Sequence, residues 1–313
     1  MHLLKNANPT IENSRDSLKA YFRPYLVWFL AIRPKTLTAA VVPVVAGTAL
    51  ASSLAPISMW IFIFALIGAL AIQIATNLIN DYVDFDKGAD THERIGPRRV
   101  TQSQLVSRKA VRRAAGVMLS IAVFAGVPLV IHGGPAILVI GLVSLFLAYS
   151  YTGGPFPLAY LGLGDLFVVL FFGVVAVGGV FYLQTGIYSL APFILGLQIG
   201  FLSTVLIAIN NLRDVHQDAK AEKKTIAVRW GVQFSRFEIL LFTLAPFLLQ
   251  IYWFRERAGL LSLAPILLLP LAYKIVHEVF TTEPSEAYNR YLAHAAALHA
   301  GYGLILSLIL VAK

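Results

Sequence analysis

Long apolar runs, interrupted at intervals by polar stretches, dominate the chain. Nine of them reach about the 20 residues that a helix needs to cross a hydrocarbon core: 37–54, 58–80, 114–132, 135–152, 162–184, 188–211, 237–254, 260–277 and 292–312. None alternates strictly every second residue, as the wall of a membrane barrel does. A helix satisfies its own backbone in lipid, whereas an open strand does not. The pattern therefore predicts an all-α integral membrane protein, a bundle of about nine transmembrane helices around a central cavity.

The connections differ in character. Those near 55–57, 133–134 and 185–187 are short and uncharged, while 81–113 and 212–236 are long and basic. The first long loop carries Lys87, Arg94, Arg98, Arg99, Arg108, Lys109, Arg112 and Arg113. The second carries Arg213, Lys220, Lys223, Lys224, Arg229 and Arg236. The positive-inside rule puts both loops and the N-terminus on the cytoplasmic side, and an odd number of crossings leaves Lys313 on the other. Arg255 and Arg257 then fall on the outer face, against the rule. Residues 1–23 read as a polar cytoplasmic tail without a signal-peptide layout, and 24–313 as the nine-helix domain.

Composition agrees: 58% of residues are hydrophobic, 13% are charged and the mean hydropathy is +0.74. The net charge of +9 already has a topological reason, so no nucleic-acid partner is implied. The chain has no cysteine, which excludes disulfide and thiol chemistry.

Two acidic clusters break this apolar background. The first reads Asn77-Leu78-Ile79-Asn80-Asp81-Tyr82-Val83-Asp84-Phe85-Asp86-Lys87-Gly88-Ala89-Asp90, and the second Asn211-Leu212-Arg213-Asp214-Val215-His216-Gln217-Asp218. Superposed, they match Asn77 with Asn211, Asn80 with Asp214 and Asp84 with Asp218, as an internal repeat would. A carboxylate at mid-membrane costs about 2.5–3.5 kcal/mol on insertion scales, so such residues mark function. Residues four apart share a helix face, and two facing carboxylate pairs repel unless cations lie between them. The donors are oxygens, with only His92 and His216 nearby, which favours Mg²⁺ over zinc. Mg²⁺ takes few carboxylates and completes its shell with water and phosphate oxygens, so a diphosphate held between metal and Arg94, Arg98 or Arg99 is the expected ligand.

Other positions keep two readings. Lys35, in Arg33-Pro34-Lys35-Thr36, suits a membrane-entry anchor or a substrate contact. Asp165, in Gly162-Leu163-Gly164-Asp165, suits a helix cap or a cavity wall. Tyr149 and Tyr151 suit the aromatic belt or the site. His294 and His299 suit helix packing.

The sequence Asn80 to Asp90 together with Asp214-xxx-Asp218 resembles the signature of the UbiA-type intramembrane aromatic prenyltransferases. Gly88 replaces the third acidic position of the general motif, with Asp86 and Asp90 on either side. That variant is similar to the branch acting on 1,4-dihydroxy-2-naphthoate in menaquinone biosynthesis. Arg33 to Thr36, Arg94-Ile95-Gly96-Pro97-Arg98, Gly162 to Asp165, Phe171-Phe172-Gly173 and Asn210 to Asp214 resemble the same branch, and the likeness runs from about residue 28 to the C-terminus. Two departures stand out: Ser103 where a glycine is expected, and Tyr149-Ser150-Tyr151-Thr152-Gly153-Gly154 without the lysine of other branches.

The resemblance implies transfer of a polyprenyl group from polyprenyl diphosphate to 1,4-dihydroxy-2-naphthoate, with loss of carbon dioxide, giving demethylmenaquinone. It implies Mg²⁺ on Asn80, Asp84, Asp214 and Asp218, with Asp81 and Asp90 as further ligands or supports. Arg94, Arg98 or Lys35 would face the leaving oxygens; Asn77, Asn211, Tyr149 and Asp165 would line the substrate site. A bacterial plasma membrane is the expected location. A relative acting on 4-hydroxybenzoate or on a phytyl route is the alternative within the family. A cation-coupled transporter is the alternative outside it, disfavoured because the acids lie at helix ends beside basic loops.

Overall fold

The computed structural model describes residues 24–88 and 95–312. Among these every regular element is helical. In chain order they are α1 (Pro24–Ile32), a 3-10 turn (Pro34–Thr36), α2 (Thr38–Ala51), α3 (Met59–Asp86), α4 (Arg108–Ser150) and α5 (Gly164–Val169). A π-helical stretch (Leu170–Val175) joins α5 to α6 (Ala176–Thr185), followed by α7 (Leu190–Arg213) and α8 (Val215–Lys220). Then come α9 (Ile226–Leu248), α10 (Gln250–Trp253), irregular helical turns over 254–268, α11 (Leu269–Thr281) and α12 (Tyr288–Val311).

Seven helical segments are long and apolar enough to cross a membrane, and an eighth is the pair 25–36 and 38–51, bent by 53°. α4 has 43 residues, about 64 Å of helix and twice a hydrocarbon core. It is broken at Gly134, which takes φ 71, ψ −157 just before Pro135. Glycine tolerates that conformation, and proline cannot continue the preceding ladder. Read as two crossings, α4 makes the bundle compatible with the nine expected. This is a multi-pass membrane protein.

α7 is the hub. Of its most apolar stretch 72% is buried inside the protein, against 22% for α4, whose outer side chains such as Phe124 and Ile131 face outward. The π-helical stretch crosses α7 with almost no space between backbones. A Cβ on Gly173 would overlap the carbonyl of Gly196, and one on Gly200 would stand 2.6 Å from the Val169 oxygen. Small residues permit this approach where lipid supplies no hydrophobic drive between helices.

Away from the acidic motifs, four fully buried polar side chains tie α7, α10 and α12 together. Gln198 Nε2 donates to Tyr302 Oη (2.9 Å) and Gln250 Oε1 (3.1 Å), and Trp253 Nε1 donates to Gln198 Oε1 (2.7 Å). The Pro246 carbonyl, near the end of α9, accepts from both Gln198 and Tyr302. His299 pairs with Ser203 at 3.1 Å and His294 with Glu278 at 2.9 Å, the packing roles expected of them.

Candidate active site

The polar end of α3 presents Asn77, Asn80, Asp81 and Asp84 on one buried stripe, as their spacing of three and four residues requires. They do different work. Asn77 Nδ2 donates to the Ile32 carbonyl (2.9 Å) and Thr36 Oγ1 (3.0 Å), tying down the entry to α2. Asp81 accepts the backbone N–H groups of Val100 (3.1 Å) and Thr101 (3.0 Å) and so holds the loop before α4. Asn80 accepts from Thr152 Oγ1 at 2.7 Å. Asp84, 2% exposed, accepts from Arg99 Nη2 (2.9 Å) and from the Tyr160 hydroxyl (3.1 Å). Lys87 follows at the helix end, donates to the Thr152 carbonyl (2.7 Å) and lies 4.0 Å from the centre of the Tyr160 ring. Burial lowers its pKa, with Asp84 opposing the shift and Lys223 adding to it.

The second motif lies at the junction of α7 and α8. Both oxygens of Asp214 accept from Arg213, from Nε at 2.8 Å and from Nη2 at 2.7 Å. Arg213 also donates to Asn210 and to Asn289 of α12, and is buried. Asp218 is 3.5 Å from Lys223, and its Oδ2 is buried with no hydrogen-bond partner. Burial pushes the Asp218 carboxyl up to about 6; Lys223 opposes that, while Asp214 and Asp84 add to it. Asp84 accepts from Tyr160, whose ring lies 5.9 Å from Lys223 Nζ, and Lys223 is 3.5 Å from Asp218, so the two motifs come together around one aromatic ring. Tyr151 lies within electrostatic reach of both carboxylates. Its hydroxyl is raised well above its usual range by burial, and then by Asp165, Asp84 and Asp218. Behind it Asp165 is buried, with Oδ1 unpartnered.

Tyr151 also lines an apolar cavity of about 460 Å³ between α2, α3, both halves of α4, α5, the π-helical stretch and α6. Phe167 and Phe171, stacked 5.9 Å apart, line one wall. The wall between the halves of α4 is built from Val127, Ile131, Leu138 and Leu142, side chains exposed at the lipid-facing surface. The site therefore joins a charged mouth to an apolar chamber bordering lipid.

The family model for the UbiA prenyltransferase family matches residues 40–298. The chain belongs to that family. It is a prenyltransferase, an enzyme that transfers alkyl groups other than methyl. The 1,4-dihydroxy-2-naphthoate octaprenyltransferase of Haemophilus influenzae is 32% identical over 272 residues, covering 83% of this chain and 88% of that one. Its namesake from Mycobacterium leprae is 39% identical over 209 residues, 67% and 71% of the two chains. The structure of a UbiA homolog from Archaeoglobus fulgidus bound to GPP and Mg²⁺ shares the fold, with a TM-score of 0.60 over 90% of this chain and 99% of that one at 16% identity.

Several expected site residues of this prenyltransferase stand elsewhere. Tyr149 is 46% exposed, and its ring packs against Gly153 and Gly154. Two residues along a helix lie on nearly opposite faces, so Tyr151 takes the inner place. Arg98 is exposed, and the adjacent Arg99 is the arginine buried against Asp84. Lys35 is exposed on the 3-10 turn. Asp81 and Asn77 fasten loops, and Asp214 is engaged by Arg213. Asn211 is buried near the end of α7. Asp90 and Arg94 lie outside the described residues.

Lys87, Lys223, Thr152 and Tyr160 join the site without having been singled out. Lys87 lies inside the first acidic motif and Lys223 follows the second, a local signal. Tyr160 carries no such signal, because only the tertiary fold brings it to Asp84.

Proposed function

We propose that this prenyltransferase moves a polyprenyl group from polyprenyl diphosphate to 1,4-dihydroxy-2-naphthoate with decarboxylation, giving demethylmenaquinone, in a bacterial plasma membrane with its acidic motifs cytoplasmic. The observation that carries the reading is the meeting of Asp84 and Asp218 around Tyr160 and Lys223, near an apolar cavity that Tyr151 helps to line. The identity to the two octaprenyltransferases supports the acceptor.

The donor set fits Mg²⁺. Asp218 Oδ2 is a buried, unpartnered carboxylate oxygen. Among the described residues no three His, Cys, Asp or Glu side chains gather as a ready cage. A site with few carboxylates, finished by water and phosphate oxygens, is the habit of Mg²⁺. Asp84 and Asp218 would hold the ion, with Asn80 and Asp214 beside them. When bound, it neutralises charge on the departing diphosphate.

The chain's own groups do the rest. Arg99, Lys87 and Lys223 surround the two carboxylates and offer N–H donors to phosphate oxygens. The apolar cavity takes the prenyl chain and keeps water from the allylic cation until the ring attacks. Tyr151 stands at the boundary, where the acceptor ring must meet the chain's first carbon.

The test is prenyl transfer in isolated membranes with dihydroxynaphthoate, a polyprenyl diphosphate and Mg²⁺, run for wild type, Asp84→Asn and Asp214→Asn. A prenylated, decarboxylated quinone made only with Mg²⁺ and lost in both variants is expected. Product from 4-hydroxybenzoate alone would overturn the acceptor and keep the site.

A further inference from the structure

One side chain of the loop between α4 and α5 touches the first acidic motif and the structure that follows the second. The Tyr160 hydroxyl donates to Asp84 Oδ1 at 3.1 Å, and its backbone carbonyl accepts the N–H of Lys224 at 3.2 Å. Its ring lies under two ammonium groups, Lys87 Nζ at 4.0 Å and Lys223 Nζ at 5.9 Å from the centroid. Lys87 lies within the first motif, at the end of α3. Lys223 comes just after the second and is 3.5 Å from Asp218. The loop is seated closely enough that only glycine fits beside it: Gly162 takes φ +69, and a Cβ there would stand 2.7 Å from the Lys224 oxygen.

We propose that Tyr160 is a positioning residue that holds the two acidic motifs in register and keeps Lys87 and Lys223 over its ring until a diphosphate takes them. The inference rests on the reading of the site as a prenyl diphosphate site. Two ammonium groups on one ring repel each other, and each gains less from the ring's quadrupole than from a charge-assisted hydrogen bond to a phosphate oxygen. A diphosphate arriving between Asp84 and Asp218 therefore draws both lysines from the ring. The Tyr160 hydroxyl keeps Asp84 aimed while this happens, so binding does not have to order the carboxylate.

The test uses the purified full chain in detergent and inorganic pyrophosphate with Mg²⁺, followed by titration calorimetry. Lys87→Met and Lys223→Met should each weaken pyrophosphate binding about tenfold, the range found for residues that support a metal site. Tyr160→Phe keeps the ring and loses the hydroxyl, so it should raise the Mg²⁺ concentration for half-saturation several-fold. Its KM for the aromatic acceptor should stay near the wild-type value. A general packing defect would raise both, and that outcome would overturn the positioning role. Thermal unfolding midpoints confirm that each variant is folded. If Tyr160→Phe leaves the Mg²⁺ midpoint unchanged, or both lysine variants bind pyrophosphate as wild type does, the role given to Tyr160 is wrong and the diphosphate site stands. If wild type itself binds no Mg²⁺–pyrophosphate, both fall.

Discussion

Two of the polar clusters that the bundle buries are built to opposite rules. Around Gln198, each side-chain donor and acceptor of Gln250, Trp253 and Tyr302 meets a partner, including a tight contact from Gln250 to the Ser262 carbonyl. The cluster is uncharged. Around Asp84 and Asp218 the groups are charged, Asp218 Oδ2 has no partner, and like charges crowd together. A neutral, satisfied network fixes helices to one another, because breaking any bond strands its partner in a dry interior. A charged, unfinished cluster keeps its electrostatic cost until a ligand arrives. The first belongs to the architecture and the second to the chemistry.

The sharpest way to break the comparison is to exchange the effects. Asp84→Asn should lower prenyl transfer on the order of 10²-fold or more, since charge at the reacting phosphate is lost. Gln198→Leu should leave the turnover of folded molecules within about twofold while lowering stability by about 2–4 kcal/mol, for it strands the buried Trp253 N–H and takes a donor from Gln250 and Tyr302. Initial rates normalised to folded protein, beside thermal unfolding in detergent, separate the two. A Gln198→Leu protein that is stable but inactive would erase the distinction.

Next comes a stabilising substitution at the functional end. The Asp218 carboxyl is raised from 3.8 to about 6, so the folded state binds this proton more tightly than the unfolded state. Its stabilising contribution is full below about pH 4 and is lost as pH rises through about 6. Above that, the ionised carboxylate destabilises the metal-free protein by up to about 3 kcal/mol. Asp218→Asn should therefore raise the unfolding midpoint at pH 7, flatten its pH dependence between about 4 and 6, and still impair transfer. A lower midpoint at pH 7 would mean that Asp218 is satisfied in a way the cluster does not reveal.

The same contrast governs what could be read from the chain. Spans, the break near Gly134 and the pairing of the two acidic motifs all follow from local periodicity and spacing, so they were legible. Asn77 and Asp81 stand out in the sequence as a substrate contact and a further ligand or support, but their partners, Thr36 and the Val100–Thr101 backbone, come from distant segments. Choosing Arg98 over Arg99 needed the direction of a loop. The Gln198 network left no trace at all: its members are scattered over α7, α10 and α12, and an isolated glutamine in an apolar run gives no sign of its partner.

The finest test concerns two tyrosines separated by one residue. Tyr151 lines the cavity and lies within electrostatic reach of three carboxylates, while Tyr149 packs on Gly153 at the surface. Replacing each by Phe removes only a hydroxyl, so the ring and its packing survive. Tyr151→Phe should cost about one hydrogen bond to the bound acceptor, about 1 kcal/mol or roughly a fivefold rise in acceptor KM. Tyr149→Phe should stay within about twofold of wild type. Equal effects at both positions would mean that the acceptor reaches the acidic end by a path other than the cavity. Because the two side chains differ in face and not in chemistry, no feature of composition or motif can account for a difference between them; only the direction in which the last turn of α4 points them can.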